Sequence, residues 1–305
     1  MCYISKNTRK EIVMKKIFSV ILALVLCLST FVTASAVTDK PFYLVLGDSI
    51  AYGSGLGNPT EACYGKIVAD TNNYEYVNYS VPGHTTTNLI ARLGQPEVVE
   101  ALQKADIISI SIGGNDFLLG NLMELIFNAM VLKDYAPLDN IASSFFENFS
   151  TIVDIINENN PDAVILMQTL YNPQSGYLRE PYQMAADRLN AEIRRFAEEN
   201  PGEIVIVDVG TALGDDPANF AGDDIHPSAN GNMIIAQTVL DVLYEIGLGK
   251  TTVPVISTPA TDINIPSFFT ASLDIMGFAF NLMGYVYDFI TAILTFIPVP
   301  YSIDY

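Results

Sequence analysis

Short apolar runs recur along the first two thirds of the chain, and amphipathic stretches separate them. Four runs predict strands that are buried on both faces: Phe42–Leu46, Ile107–Ile112, Ala163–Met167 and Ile204–Val207. The amphipathic stretches predict helices at Cys63–Asp70, Phe117–Leu132, Leu138–Asn157, Pro181–Glu199 and Ala229–Ile246. Strands that alternate with helices predict an α/β domain whose parallel sheet is covered by helices on both faces.

The pattern changes after Gly249. Residues 250–266 are rich in Thr, Pro and Ile without periodicity, which predicts a linker after a domain of residues 37–249. The tail, residues 267–305, is strongly apolar as far as residue 297 and predicts a helix. On that helix the small or polar residues share one stripe: Asp274, Gly277, Asn281, Gly284, Asp288 and Thr291.

We expect the apolar surface of residues 267–297 to be covered, because soluble monomers seldom expose so large an apolar area. Three partners fit the pattern: a membrane surface, a second copy of the chain, or the chain's own domain. A free-standing transmembrane anchor is disfavoured for two reasons. Each aspartate near the bilayer centre costs roughly 2.5–3.5 kcal/mol on insertion scales, and no basic residue follows Lys250.

The N-terminal segment has the composition of a secretory signal. Residues 14–16 form a cationic start, residues 17–28 an apolar run, and residues 34–36 offer small side chains for cleavage. Residues 1–36 are therefore expected to be a signal peptide with an upstream extension, in which Met14 is a second candidate start. The protein is then secreted or extracellular, or associated with the cell envelope. An uncleaved anchor is disfavoured, since the apolar run is short for a span.

Cleavage after residue 36 changes both the charge and the cysteine content. The chain has 34 acidic and 15 basic residues. Cleavage removes one acidic and five basic residues, which leaves 33 acidic and 10 basic residues and a net charge near −23. A field of this sign repels phosphate backbones, so no nucleic-acid partner is expected. Cys2 and Cys27 are removed, and Cys63 alone cannot form an intramolecular disulfide.

A candidate nucleophile follows the first predicted strand, in Gly47-Asp48-Ser49. A serine on a tight turn at the carboxyl end of a parallel strand exposes its hydroxyl where such sheets bind ligands. The triplet alone is a weak signal, because it arises by chance in about one chain in ten of this length. An ordinary turn is the alternative. The Gly-x-Ser-x-Gly elbow of α/β-hydrolases is absent, because Ala51 stands where the second glycine would be.

A candidate base lies near the end of the predicted domain. His226 is one of two histidines in the chain, and Asp223 precedes it by three residues. A carboxylate at this spacing can bind one imidazole nitrogen, so that the other accepts a proton from a serine. The alternative is a polar loop before a capped helix. His84 has no carboxylate at a matching spacing and is expected to be a substrate-contacting or exposed loop residue.

Two further positions offer hydrogen-bond donors. Gly83 is a loop glycine whose N–H can approach a ligand closely, and Asn115 directly follows the second predicted strand. With the N–H of Ser49 they could surround a developing oxyanion, although a turn and a helix cap explain them as well. No cofactor is indicated, and two histidines without a shared carboxylate cluster make a poor metal site.

Together these segments resemble the four blocks of the SGNH/GDSL hydrolases. The blocks occur in family order, over roughly residues 42–246: Gly47-Asp48-Ser49, Gly83, Gly113-Gly114-Asn115-Asp116 and Asp223-x-x-His226. The resemblance implies a three-layer α/β/α sandwich with a flavodoxin-like, mainly parallel sheet. Ile50 stands where the family name has leucine, a volume-conserving change.

The resemblance also implies hydrolysis of carboxylic esters through an acyl-enzyme. Ser49 would be the nucleophile, His226 the general base and Asp223 its orienting carboxylate. Ser49, Gly83 and Asn115 would form the oxyanion hole. The substrate stays open between a small acyl ester, a lipid such as a lysophospholipid, and an acetylated polysaccharide. An acyltransferase using the same site and a catalytically silent carbohydrate-binding module are the alternatives, although the intact blocks disfavour the silent module.

Overall fold

Five strands form one parallel sheet in the order β2-β1-β3-β4-β5. They are Phe42–Gly47 (β1), Glu75–Asn78 (β2), Ile107–Ser111 (β3), Val164–Gln168 (β4) and Val205–Val207 (β5). The computed structural model describes residues 40–119, 122–263 and 268–296. The predicted signal peptide, with Cys2 and Cys27, lies outside these residues, whereas Cys63 is buried and unbridged.

The helices connect these strands and extend beyond the sheet. They are Ser49–Tyr52 (α1), Pro59–Ala62 (α2), Tyr64–Asn72 (α3), Thr86–Leu93 (α4), Pro96–Leu102 (α5), Gly114–Leu118 (α6), Leu122–Phe127 (α7), Ala136–Asn159 (α8), Arg179–Glu199 (α9), Val209–Leu213 (α10), Ala229–Glu245 (α11) and Phe268–Phe296 (α12). A π-helical turn, Asn128–Leu132, continues α7, and a 3₁₀ turn, Gly176–Leu178, precedes α9.

Helices pack on both faces of the sheet. Leu44 and Leu46 of β1 belong to a core cluster with residues of α4, α5, α8 and α9. Tyr43 and Val45 point the other way and pack with residues of α3 and α11. Every residue of β1 is buried, which explains why its sequence is a continuous apolar run. The predicted three-layer α/β/α sandwich with a parallel sheet is confirmed.

Several elements differ from the sequence-based prediction. Strand β2 was not predicted, because this edge strand is short and polar and its residues are only half-buried or exposed. Helices α4 and α5 were also missed. The single helix predicted over Phe117–Leu132 is wrong: α6, α7 and the π-helical turn occupy that region. Gly120 and Asn121, both weak helix formers, separate α6 from α7 in the sequence.

The segment predicted as a linker is hydrogen-bonded to the domain. Gly57 N–H donates to the Thr261 carbonyl at 2.7 Å, and Ile263 N–H donates to the Gly55 carbonyl at 3.0 Å. After this segment, α12 packs against the π-helical turn and the 3₁₀ turn.

Candidate active site

Ser49 lies at a tight turn between β1 and α1. Gly47 ends the strand with a φ of 138°, and a Cβ added there would lie 2.0 Å from the Ser111 carbonyl oxygen on β3, so only glycine fits. Asp48 caps α1, because its carboxylate accepts the Ile50 N–H at 2.9 Å. These contacts place Ser49 at the first position of α1, at the carboxyl edge of the sheet.

Asp223 and His226 are joined through their side chains. Asp223 Oδ2 lies 2.6 Å from His226 Nδ1, while Asp223 Oδ1 accepts the N–H groups of Ile225 at 3.1 Å and His226 at 3.0 Å. Burial opposes ionisation of Asp223, but the hydrogen bonds from His226 and Ile225 and the imidazole charge outweigh it, and the pKa lies below its usual range. An ionised carboxylate therefore holds Nδ1, which leaves Nε2 as the nitrogen that can accept a proton.

The loop that carries this pair is anchored by residues after β4. The Tyr171 hydroxyl donates to the Ile225 carbonyl at 2.8 Å, and Gln174 Nε2 donates to the Asp224 carbonyl at 2.5 Å. Asp224 has a φ of 53°, a left-handed conformation that Asp and Asn adopt more readily than most residues. Asp224 thus makes the turn that brings His226 back to Asp223.

Gly83 and Asn115 lie on two loops that are tied together. Gly83 has a φ of 83°, and an added Cβ would meet no atom within 4 Å. Asn115 is buried, and its Nδ2 donates to the His84 carbonyl at 2.9 Å. Because an amide carries two N–H hydrogens, the second stays available to a ligand. Asp116 accepts the Thr86 N–H at 3.0 Å, which holds the same two loops together.

A cavity of about 490 Å³ brings the candidate residues together. Ser49, Gly83, Asn115 and His226 line it, and its volume is typical of small-molecule sites. Most of the remaining wall is apolar and includes Phe117, Leu118, Leu122, Leu170, Tyr182 and Leu189. A hydroxyl, an oriented imidazole and several N–H donors beside an apolar cavity suit nucleophilic attack on an acyl group.

His84 contributes to the site through its backbone. Its carbonyl positions Asn115, whereas its side chain is absent from the cavity wall. Burial and the charge of Arg92 lower the pKa of His84, so its ring is mainly neutral at neutral pH.

Within the described residues, no group of three His, Cys, Asp or Glu side chains could hold a metal ion.

Asp48 has an unusual environment beside Ser49. Burial raises its pKa to about 7, and the nearby Asp116 carboxylate adds to the shift, whereas the Ile50 N–H and the charge of His226 oppose it. The folded protein therefore binds a proton at Asp48 more tightly than the unfolded chain does. Between the two pKa values, a rise in pH favours unfolding.

Asp48→Asn is expected to stabilise the protein more at about pH 8 than at about pH 4. Asparagine can still accept the Ile50 N–H but does not ionise, so it escapes the loss of stability that wild type undergoes as the pH rises from about 4 to about 7. The extra stabilisation at high pH is on the order of 2–4 kcal/mol. Urea unfolding of both proteins across this range measures it, and parallel pH profiles would contradict the prediction.

Comparison with known proteins identifies the family. Residues 45–234 match the model of the GDSL-like Lipase/Acylhydrolase family. The chain therefore belongs to this family. The match begins in β1 and ends in α11, and it includes Ser49, Gly83, Asn115, Asp223 and His226. The family resemblance inferred from the four sequence blocks is confirmed.

Relatives of this GDSL-like protein include both a lipase and an esterase. It is 26% identical over 201 residues to the spore germination lipase LipC of Bacillus licheniformis, covering 62% of this chain and 90% of LipC. It is 29% identical over 171 residues to an acetylxylan esterase of Geobacillus stearothermophilus, covering 54% of this chain and 69% of the esterase. These similarities support ester hydrolysis without selecting the ester.

A solved structure shares the fold. The lipase Lip_vut3 from a goat rumen metagenome matches with a TM-score of 0.58 at 23% identity. The match covers 69% of this chain and 99% of Lip_vut3. The GDSL-like domain thus has the expected architecture. The rest of the chain lies outside the match to Lip_vut3.

Proposed function

We propose that the protein is a secreted serine hydrolase that cleaves carboxylic esters through an acyl-enzyme. Ser49 is the nucleophile, His226 the general base and Asp223 the carboxylate that orients it. The observation that carries this proposal is the 2.6 Å contact between Asp223 and His226, beside a cavity that His226 and Ser49 both line. The signal-like residues 1–36 motivate secretion.

In the proposed reaction, Ser49 Oγ attacks the ester carbonyl carbon while His226 Nε2 takes the hydroxyl proton. The tetrahedral intermediate then collapses, the bond to the alcohol oxygen breaks, and His226 gives its proton to that oxygen. Water attacks the acyl-enzyme in the same way, passing a proton to His226, which returns it to Ser49 as the acid leaves. Asp223 stays ionised throughout and stabilises the imidazolium, in keeping with its low pKa.

The proposed oxyanion hole consists of the N–H groups of Ser49 and Gly83 and the side-chain amide of Asn115. Asn115 is held in place by the His84 carbonyl before any substrate arrives. Donors fixed in this way need no reorganisation as charge develops, and one such donor contributes about 10²–10³-fold to kcat in other enzymes.

The cavity wall favours an acyl chain longer than acetyl. Phe117, Leu118 and Leu122 on one part of the wall, with Leu189 from α9, offer apolar contacts that an acetyl group is too small to use. A sugar needs many hydrogen-bonding partners, and polar side chains such as Ser54, Ser111 and Gln168 are the minority in this wall. We therefore infer that the substrate is a lipid-like ester whose acyl chain occupies this cavity, and that acetylated polysaccharide is the weaker candidate.

A series of p-nitrophenyl esters from acetate to decanoate tests this proposal on protein recovered from the culture medium. We expect kcat/KM to rise by at least about tenfold from acetate to octanoate, since each methylene buried on binding contributes about 0.8 kcal/mol. Lysophosphatidylcholine and acetylated xylan are compared alongside. The N-terminus of the recovered protein reports whether cleavage follows residue 36.

Three outcomes would contradict parts of the proposal. Highest activity on acetate and on acetylated xylan would show that the substrate is an acetyl ester and not a lipid-like ester. Transfer of the acyl group to an added alcohol in preference to water would identify an acyltransferase. Binding of polysaccharide without turnover of any ester would identify a catalytically silent carbohydrate-binding module.

A further inference from the structure

Helix α12 packs on the catalytic domain through its smallest residues. Gly277 and Gly284 are the buried positions within residues 275–292. A Cβ added to Gly284 would lie 2.7 Å from the Met130 carbonyl oxygen, and one added to Gly277 would lie 3.0 Å from Tyr177 Cβ. The helix backbone thus approaches the domain closely, which larger residues at these positions would prevent.

The polar residues of α12 lie on the same side as these glycines. Asn281 and Asp288 line a cleft of about 140 Å³ between the helix and the domain, together with Lys133 and Glu180 of the domain. A surface helix of a soluble protein normally turns its apolar side inward. On α12 the side that faces the protein is small and polar except for Phe280, and most of the large apolar side chains face away from the domain.

We call the side of α12 that faces away from the domain its outward face. It consists of large apolar side chains that are 42–72% exposed: Ile275, Leu282, Met283, Val286, Phe289 and Ile290. No residue of this face carries a charge or a hydrogen-bonding group other than its backbone. Residues 275–292 are also, among the described helices, the single stretch long and apolar enough to cross a membrane by length and composition.

The helix lies at the catalytic edge of the sheet. It packs on the π-helical turn Asn128–Leu132 and the 3₁₀ turn Gly176–Leu178, which belong to the connections that follow β3 and β4. The carboxyl ends of parallel strands share one edge, and Ser49 follows β1 at that edge. Phe280 of α12 packs on an apolar cluster that contains Phe117 and Tyr182, and these two residues also line the catalytic cavity.

We propose that the outward face of α12 binds a neutral lipid surface, with the helix lying along that surface. Protein interfaces carry about one hydrogen bond per 100–200 Å², whereas this face offers no side chain that could make one. Tyr285 and Tyr287 flank the face on opposite sides, where their rings can reach the headgroup level. None of the face residues is basic, so the face itself offers no charge that attracts anionic lipids.

The docked position of α12 favours binding along the surface over spanning. A spanning helix would have to give up the close contacts of Gly277 and Gly284 and carry Asp288 into the hydrocarbon. A helix that stays docked can instead bury its outward face while the catalytic domain remains in water. Resting on the proposed function, this arrangement holds the catalytic cavity near esters in the lipid surface.

The test compares two double variants of the chain from Val37, which retains the whole compact unit of residues 41–305. Leu282→Glu/Phe289→Glu adds two charges to the outward face. Val253→Glu/Ile256→Glu is the matched control, because it adds the same charges at apolar residues of similar exposure, 69% and 52%, outside α12. Both variants and wild type are floated with phosphatidylcholine vesicles.

We expect wild type and the control to float with the vesicles, and the α12 variant to lose binding by at least about tenfold. Raising the salt from about 0.1 to about 1 M should leave wild-type binding unchanged, because the attraction is not electrostatic. Turnover of soluble p-nitrophenyl butyrate should be equal in all three proteins, while turnover of a vesicle-embedded ester should fall with binding in the α12 variant alone.

Two outcomes would overturn the proposal, and a third would separate it from the proposed function. Equal flotation of the two double variants would show that the outward face is not the lipid contact. The wild type could instead be a dimer in light scattering that does not bind vesicles, while the α12 variant is a monomer. That result would assign the face to a second copy of the chain. Flotation as expected without turnover of any ester would support the lipid contact and count against the proposed hydrolase function.

Discussion

Ser49→Ala is expected to lower kcat for p-nitrophenyl butyrate by about 10⁴–10⁶-fold without unfolding the protein. The hydroxyl oxygen would form the acyl-enzyme, and without it only the proposed oxyanion hole and substrate binding would remain. Ser49 is only partly buried, and its turn is set by Gly47 and Asp48, so alanine should preserve the local structure. Steady-state kinetics and circular dichroism measure the two effects.

Ser54→Ala is a matched control for this substitution. Ser54 also lines the cavity but lies after α1, and its N–H donates to the Ser49 carbonyl at 2.9 Å through backbone atoms that alanine retains. We expect its activity to stay within about threefold of wild type. If folded Ser49→Ala keeps wild-type turnover, or if both substitutions abolish activity equally, the assignment of the nucleophile is wrong.

Asp223→Asn is expected to reduce kcat by about 10⁴-fold, the effect of the same change in other serine triads. The carboxylate holds His226 Nδ1 at 2.6 Å, and an amide would no longer enforce the tautomer that leaves Nε2 free to accept a proton. It would also remove the charge that stabilises the imidazolium. The rate is measured with the same soluble ester.

Asp224→Asn provides the comparison, since it makes the same chemical change one residue later. Its φ of 53° is readily adopted by asparagine, and the Gln174 contact uses the backbone carbonyl, which the substitution retains. We therefore expect an effect within about threefold. Losses of kcat of similar size at both positions would contradict the distinct role given to Asp223.

The order of the four sequence blocks was enough to predict the family and the fold. Each block follows an apolar run or precedes a capped helix, and parallel strands bring their carboxyl ends to one edge of a sheet. Ser49, Gly83, Asn115 and His226 all line one cavity at that edge. The catalytic roles of these residues stay predictions until the substitutions above are measured.

Local sequence was less informative where long-range contacts decide the structure. Tyr171 and Gln174 anchor the loop of His226, yet nothing near them in the sequence relates them to that distant loop. Edge strand β2 has no apolar run, because none of its residues is fully buried. The environment of Asp48 likewise depends on Asp116 and His226, which come from other parts of the chain.

The tail shows most clearly which features the sequence alone could predict and which it could not. Its heptad spacing of small and polar residues determined that one side of α12 would be a narrow stripe among large apolar side chains. Only the tertiary structure decided that this stripe faces the catalytic domain, because Gly277 and Gly284 permit the close approach of two backbones. That choice leaves the outward face of α12 exposed at the catalytic edge, since a helix that buries one side must present the other.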